Sequence, residues 1–286
     1  MANLKEIRNR IASVSSTMQI TSAMKMVSAA KLKKAQDAIT AMRPYASKLT
    51  ELIQNLSGSL DGEGQSPYTV IRPEEKVLIV AITSNRGLCG AFNSNIIKEA
   101  NKLVKEDFEG KSVEVLGIGK KGGDILSKTI PVRSRHDSIF DQLNFGSASE
   151  IAAEIMEAFE KESYDKVVLV YNRFKNAATQ LVTVEQFLPI VPEENTSEQS
   201  GDYIYEPSQA AIVNELLPKS LKMQLFKAIR DSFASEHGAR MTAMHKATDN
   251  AKELRDQLKL TYNKARQAAI TNEILEIVGG AEALNN

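Results

Sequence analysis

A seven-residue apolar repeat, held for eight cycles from the N-terminal end, constrains this chain more than any other feature. One column reads Leu4, Ile11, Met18, Lys25, Leu32, Ile39, Ala46, Ile53, and the other Ile7, Val14, Thr21, Ser28, Ala35, Met42, Leu49, Leu56. Two such columns lie on one helix face and form a coiled-coil seam. At about 1.5 Å per residue they predict a rod of roughly 80 Å. It ends where Gly58 and the Gly-rich run Asp61 to Pro67 break it, with a local bend expected at Arg43-Pro44.

The C-terminal end mirrors it, with Met244, Ala251, Leu258, Ala265 in one column and Ala247, Leu254, Ala268, Leu275 in the other. Alanine in a seam lets two helices approach closely. Pro207-Ser208 reads as a start, Pro218 as a kink or split, and Gly279-Gly280 as a stop. A helix from about Lys219 to Val278 would span on the order of 90 Å. Two matched helices at opposite ends of one chain can pair antiparallel only if the intervening chain returns to its starting point. A compact inserted domain does this.

That middle alternates strand and helix. Lys76 to Thr83, Ser112 to Ile118 and Lys166 to Tyr171 are short β-branched apolar runs of the kind buried on both faces of a parallel sheet. Asn93 to Lys105 and Ser149 to Lys161 read as helices between them, with Ser147 and Glu150 as a capping box. Leu181 to Leu188 alternates as an edge strand does, and Asn195 to Asp202 is a polar linker. The predicted fold class is α/β: a long antiparallel two-helix coiled coil of the N- and C-terminal helices with an inserted Rossmann-like α/β domain. The expected divisions are 1–58, 68–194 and 203–286.

Composition narrows the function. The longest apolar run, Val77 to Ile82, is far short of a membrane span. The N-terminus is amphipathic and basic like a transit peptide, but Glu6 and the continuing repeat mark it as mature structure. The single Cys89 cannot form an internal disulfide. Zero net charge hides an asymmetry: Met1 to Lys48 carries nine basic and two acidic residues, Leu49 to Pro207 sixteen and twenty-five, Ser208 to Asn286 eleven and nine. The basic N-terminal helix lacks the interleaved aromatics of a nucleic-acid binder.

Two motifs resemble chemistry. Gly117-Ile-Gly119-Lys-Lys-Gly122 matches the dinucleotide fingerprint literally. However, it follows the second strand, and no acidic residue closes a strand about twenty residues on; a tight strand-to-helix turn is the plainer reading. Cys89 lies near a helix N-terminus that could lower a thiol pKa. A nucleophile still needs a base, and His136, His237 and His245 show no triad or metal spacing. The informative irregularity is where the N-terminal seam turns polar at Thr21, Lys25 and Ser28 while Met24, Met26 and Val27 put apolar groups on neighbouring faces. A coil that buries only its partner helix has no use for these. They point to a third surface touching the helix there, or to a register stutter filled by flexible methionine.

Ile20-Thr-Ser-Ala-Met24-Lys-Met-Val-Ser-Ala-Ala-Lys31 and the run Tyr262 to Val278 closely resemble the F-type ATP synthase gamma subunit family. Supporting stretches are Ser84 to Gly90, Tyr203-Ile-Tyr-Glu-Pro207, Arg240 to Met244 and Thr248-Asp-Asn250. The resemblance implies a central stalk turning inside a hexameric ring of alpha and beta subunits, coupling ion-driven rotation of a membrane c-subunit ring to ATP synthesis or hydrolysis. It also implies no cofactor or catalysis on this chain, and an indirect, peripheral place on the cytoplasmic side of the inner membrane. Met24 and Lys25, with Arg240, correspond to positions beside an acidic lever loop of a beta subunit. Arg266 and Gln267 match a pair that engages a catch loop, and Thr271 and Glu273 match upper-shaft coupling positions. Tyr203, Tyr205 and Glu206 match the foot on the membrane ring and epsilon subunit. Lys25 stands where some bacterial relatives have an acid, and Ala269 and Asn272 replace commoner Ser and Gln. The competing readings are a structural coiled-coil adaptor and a nucleotide-binding enzyme using Gly117, Gly119 and Gly122.

Overall fold

The computed structural model describes residues 4–57, 66–190 and 209–284. In chain order the elements are α1 (Leu4–Ser57), a 3-10 turn (Pro67–Thr69), β1 (Lys76–Ile82), α2 (Phe92–Lys105), β2 (Ser112–Ile118) and α3 (Lys120–Leu126). There follow β3 (Val132–His136), a 3-10 turn (Ser138–Phe140), α4 (Phe145–Glu160), β4 (Lys166–Phe174), β5 (Gln180–Leu188) and α5 (Gln209–Leu284). Two compact units result, one from Met1–Ser28 with Met241–Asn286, the other from Ala29–Arg240.

In the first unit α1 and α5 pair antiparallel. Arg8 meets Tyr262 at 2.7 Å, Arg255 meets the Met18 sulfur at 3.7 Å, and Thr21 meets Thr248 at 2.8 Å, so partner numbers fall on α5 as they rise on α1. Ile7, Thr21 and Ser28 are buried, as are Met244 and Ala251. The first expected α5 column holds. The second is shifted by one residue: Thr248, Arg255, Tyr262 and Ala269 turn inward, whereas Leu254 and Leu275 are 40% and 63% exposed. Polar tips on a seam are tolerable when they reach partners, and those of Thr248, Arg255 and Tyr262 all do.

The second unit holds a five-stranded sheet in the order β3-β2-β1-β4-β5, parallel except for β5, which runs antiparallel to β4 at the edge. Burial on both faces explains the near-continuous apolar β1 and β4. One face packs Leu78, Val80, Leu169 and Tyr171 against Ile155 and Phe159 of α4 and Leu221, Leu225 and Ile229 of α5. The other packs Ile79, Val115 and Val170 against Ile96, Ala100 and Leu103 of α2. Burying each such aliphatic side chain contributes about 1.5–3 kcal/mol.

Four expectations change. Strand β3 was not anticipated, because Val-Arg-Ser-Arg-His alternates half-buried residues with exposed arginines at an edge and buries none. Asn144, and not Ser147, caps α4, its side chain accepting from the Ser147 amide at 2.9 Å. Asn144→Ala should therefore cost about 1 kcal/mol of stability, read as a lowered urea midpoint. Helix α5 is not split at Pro218, whose neighbours Leu217 and Leu221 are both buried. Gly279 and Gly280 do not stop α5 either: neither takes the left-handed φ of a helix-ending glycine, and two helical glycines cost only about 2 kcal/mol together. The expected linker Asn195 to Asp202 lies outside the described residues.

Candidate functional site

Residues singled out from the sequence fall in four places. The first is the seam where α1 turns polar. Thr21 and Thr248 answer each other across it, and Thr248 also donates to the Met244 carbonyl at 2.8 Å. Met24 and Lys25 are half-buried, and the Lys25 ammonium lies 3.5 Å from His245 Nδ1, which is itself 3.3 Å from Asp249. Met26, 64% exposed, and Val27 point to solvent. The seam's polarity is thus satisfied within the chain, while the apolar groups beside it are not covered by it.

The second place is the C-terminal stretch of α5. Arg266, Gln267, Thr271 and Glu273 are all exposed, and Thr271 donates back to the Gln267 carbonyl at 3.0 Å. Ile270, Ile274, Leu275, Ile277 and Val278 are exposed among them, Ile277 by 72%. A helix apolar on its outside is built to sit in an apolar environment.

The third place is a buried polar cluster in the second unit. Arg240 joins Glu236 at 2.5 Å and donates to the carbonyls of Arg86 and Gly87 at 3.0 and 3.3 Å. His237 Nδ1 lies 3.4 Å from the same guanidinium, and its ring meets Phe233 edge-on at 4.5 Å. Burial pushes the Glu236 carboxyl upward against the pull of Arg240. Burial, then the Arg240 charge, lowers the His237 imidazole to about 4. Sequence reading named Arg240 and missed Glu236; the oppositely charged i, i+4 pair was the available signal. The fourth place, Tyr203, Tyr205 and Glu206, lies outside the described residues.

The fingerprint glycines form a packing device. Gly119 has φ +97°, and a Cβ there would lie 2.2 Å from the Thr83 carbonyl oxygen. A Cβ on Gly122 would meet the Thr83 side chain at 2.7 Å. The amides a pyrophosphate would need are already bonded: Lys120 to Asn85 Oδ1, Lys121 to the Ser84 carbonyl, Gly122 to Thr83 Oγ1. Cys89 is buried under Asn93, whose amide donates to its sulfur at 3.3 Å. Burial raises the thiol pKa, the reverse of what a nearby helix N-terminus could do. Among the described residues no cluster of three or more His, Cys, Asp or Glu could hold a metal, and no helix is long and apolar enough to cross a membrane.

A heptad seam closed between the two ends of one chain, an α/β domain inserted between them and a bare apolar helix end define a class of shaft-forming subunit. Residues 3–284 match the family described as ATP synthase. The ATP synthase gamma chain of Flavobacterium johnsoniae is 71% identical over the whole of both chains, and that of Geobacter sp. (strain M21) 48% identical over 99% of each. A chain of the Euglena gracilis mitochondrial ATP synthase OSCP/F1/c-ring assembly is 25% identical, with a TM-score of 0.72, covering 98% of this chain and 94% of that one. A chain of the Tetrahymena thermophila mitochondrial ATP synthase central stalk and c-ring is 28% identical, with a TM-score of 0.62, covering 80% and 99%. The chain belongs to the ATP synthase gamma chain family.

Proposed function

We propose that the chain is the central-stalk subunit of an ATP synthase, coupling rotation of a membrane ring to nucleotide turnover in a catalytic ring without performing chemistry itself. The observation that carries this is the end-to-end match to gamma chains, joined to an α5 end whose apolar outside the chain leaves uncovered. The proposed partners are an alpha/beta hexamer, an epsilon subunit and a c-subunit ring, with the complex on the cytoplasmic face of the cell inner membrane. The working division is 1–58 and 203–286 as stalk helices and 68–194 as the inserted domain. Met24, Lys25, Arg240, Arg266, Gln267, Thr271 and Glu273 are assigned to the catalytic ring, and Tyr203, Tyr205 and Glu206 to the membrane ring and epsilon. Among those of these residues that the structure describes, Arg240 alone is buried.

Arg266→Ala tests the assignment. It removes a forked donor from an exposed helix position, so folding should be unaffected. A partner contact worth about 0.5–1 kcal/mol corresponds to a contact weakened roughly two- to fivefold, and the expected result is fewer protons pumped per ATP hydrolysed. Unchanged pumping in membrane vesicles would count against the site. The adaptor reading predicts a stable complex lacking alpha and beta subunits, which co-purification from native membranes decides.

A further inference from the structure

The buried polar stretch of α5 belongs neither to the seam nor to the exposed end. In an open α/β sheet, ligands are held beyond the carboxyl ends of the strands where strand order reverses. Here that switch point falls between β1 and β4. Its walls are the β1–α2 loop, the start of α2 and the end of β4, and α5 is bonded to the loop and to β4. Ser235 Oγ donates to the Asn172 carbonyl at 2.9 Å, and Asn172 donates on to the Phe92 carbonyl at 3.1 Å. Gly238 faces the β4–β5 turn so closely that a Cβ would stand 3.2 Å from Ala177 backbone atoms. Arg240 grips the Arg86 and Gly87 carbonyls while paired to Glu236.

A helix that needed only to pack here would be apolar, because burying an ion pair carries a desolvation cost that a hydrophobic pair avoids. What the polar contacts add is direction. Apolar ridges can slide or rotate past a surface, whereas a guanidinium bonded to two fixed carbonyls and a carboxylate holds one azimuth. The loop is itself held for the purpose: Leu88 takes φ +62°, a strained value for leucine, and Cys89 beneath it is pinned by Asn93.

We propose that Ser235 to Arg240 is a torsional key, seated where a doubly wound domain would hold a ligand, and that the Glu236–Arg240 clasp gears α5 to the α/β domain. This rests on the stalk reading, since only a turning helix needs its azimuth fixed. The test uses membrane vesicles carrying the assembled complex with Glu236→Gln, Glu236→Asp or Ser235→Ala, and scores ATP-driven proton uptake per ATP hydrolysed. The expected result is a several-fold loss of uptake per ATP in Glu236→Gln with hydrolysis retained, a smaller loss in Ser235→Ala, and partial recovery in Glu236→Asp. Uptake per ATP unchanged in Glu236→Gln would overturn the key. So would hydrolysis and uptake falling together in Glu236→Gln and Ser235→Ala, which a purely structural pair would give. Vesicles whose complex lacks this chain, if they pumped like wild type, would instead overturn the stalk reading and the key with it.

Discussion

Gly119→Ala is expected to destabilise the second unit by about 3 kcal/mol or more, summing left-handed strain and overpacking. The methyl would arrive at 2.2 Å from the Thr83 carbonyl oxygen and 3.2 Å from its hydroxyl, at a residue with φ +97°. Neither neighbour can yield cheaply. The Thr83 amide is bonded to the Ile118 carbonyl at 2.8 Å, and its hydroxyl donates to the Gly119 carbonyl and accepts from the Gly122 amide. Gly90→Ala is the matched control. It also has a left-handed φ, +60°, but nothing lies within 4 Å of its would-be Cβ, so about 1–2 kcal/mol of backbone strain is its whole cost. Urea unfolding followed by circular dichroism separates the two. Equal losses would mean that close approach to Thr83 plays no part and that the turn needs glycine for backbone conformation alone.

The same turn shows what the sequence carried and what it withheld. Gly117-x-Gly119-x-x-Gly122 announces a backbone approached closely, but the spacing does not say by what. Thr83, thirty-six residues earlier than Gly119, fills the space a phosphate would fill in a dinucleotide site. The long helices were legible because heptads repeat many times, and β1, β2 and β4 because both faces are buried. Strand β3 was not, since an edge strand in which arginines alternate with Val132, Ser134 and His136 gives no apolar period. The second α5 column was misplaced by one residue because Ala247, Leu254, Ala268 and Leu275 look the more hydrophobic choice. The fold instead turns in Thr248, Arg255 and Tyr262, whose tips find Thr21, Met18 and Arg8. Hydrophobicity ranks residues singly, whereas a seam is chosen by pairs. For the same reason Arg240 was legible as a candidate while its carboxylate partner Glu236 and the carbonyls of Arg86 and Gly87 were not: the latter two lie about one hundred and fifty residues away in sequence.

Stability should also fall as the medium is acidified from about pH 6.5 to about pH 4, and much of that fall should vanish in His237→Gln. The imidazole is 5% exposed, its Nε2 has no hydrogen-bond partner among the described residues, and its pKa drops from the ordinary 6.5 to about 4. Desolvation is the chief cause, with the Arg240 and Lys31 charges adding to it. Between those two pH values the unfolded chain binds the proton and the folded chain does not, so unfolding takes up protons and stability rises with pH. The histidine's contribution is therefore complete above pH 6.5 and is lost on descending to about 4, an amount of about 3 kcal/mol at the upper limit. Glu236 works in the opposite sense. Its carboxyl is raised by burial, so the folded chain holds that proton more readily, which offsets part of the loss near the bottom of the window. Taking the difference between wild type and His237→Gln at each pH cancels the carboxylate and isolates the imidazole. Parallel curves from pH 7 to pH 4.5 would show that His237 is protonated as easily in the fold as outside it, and that water reaches Nε2.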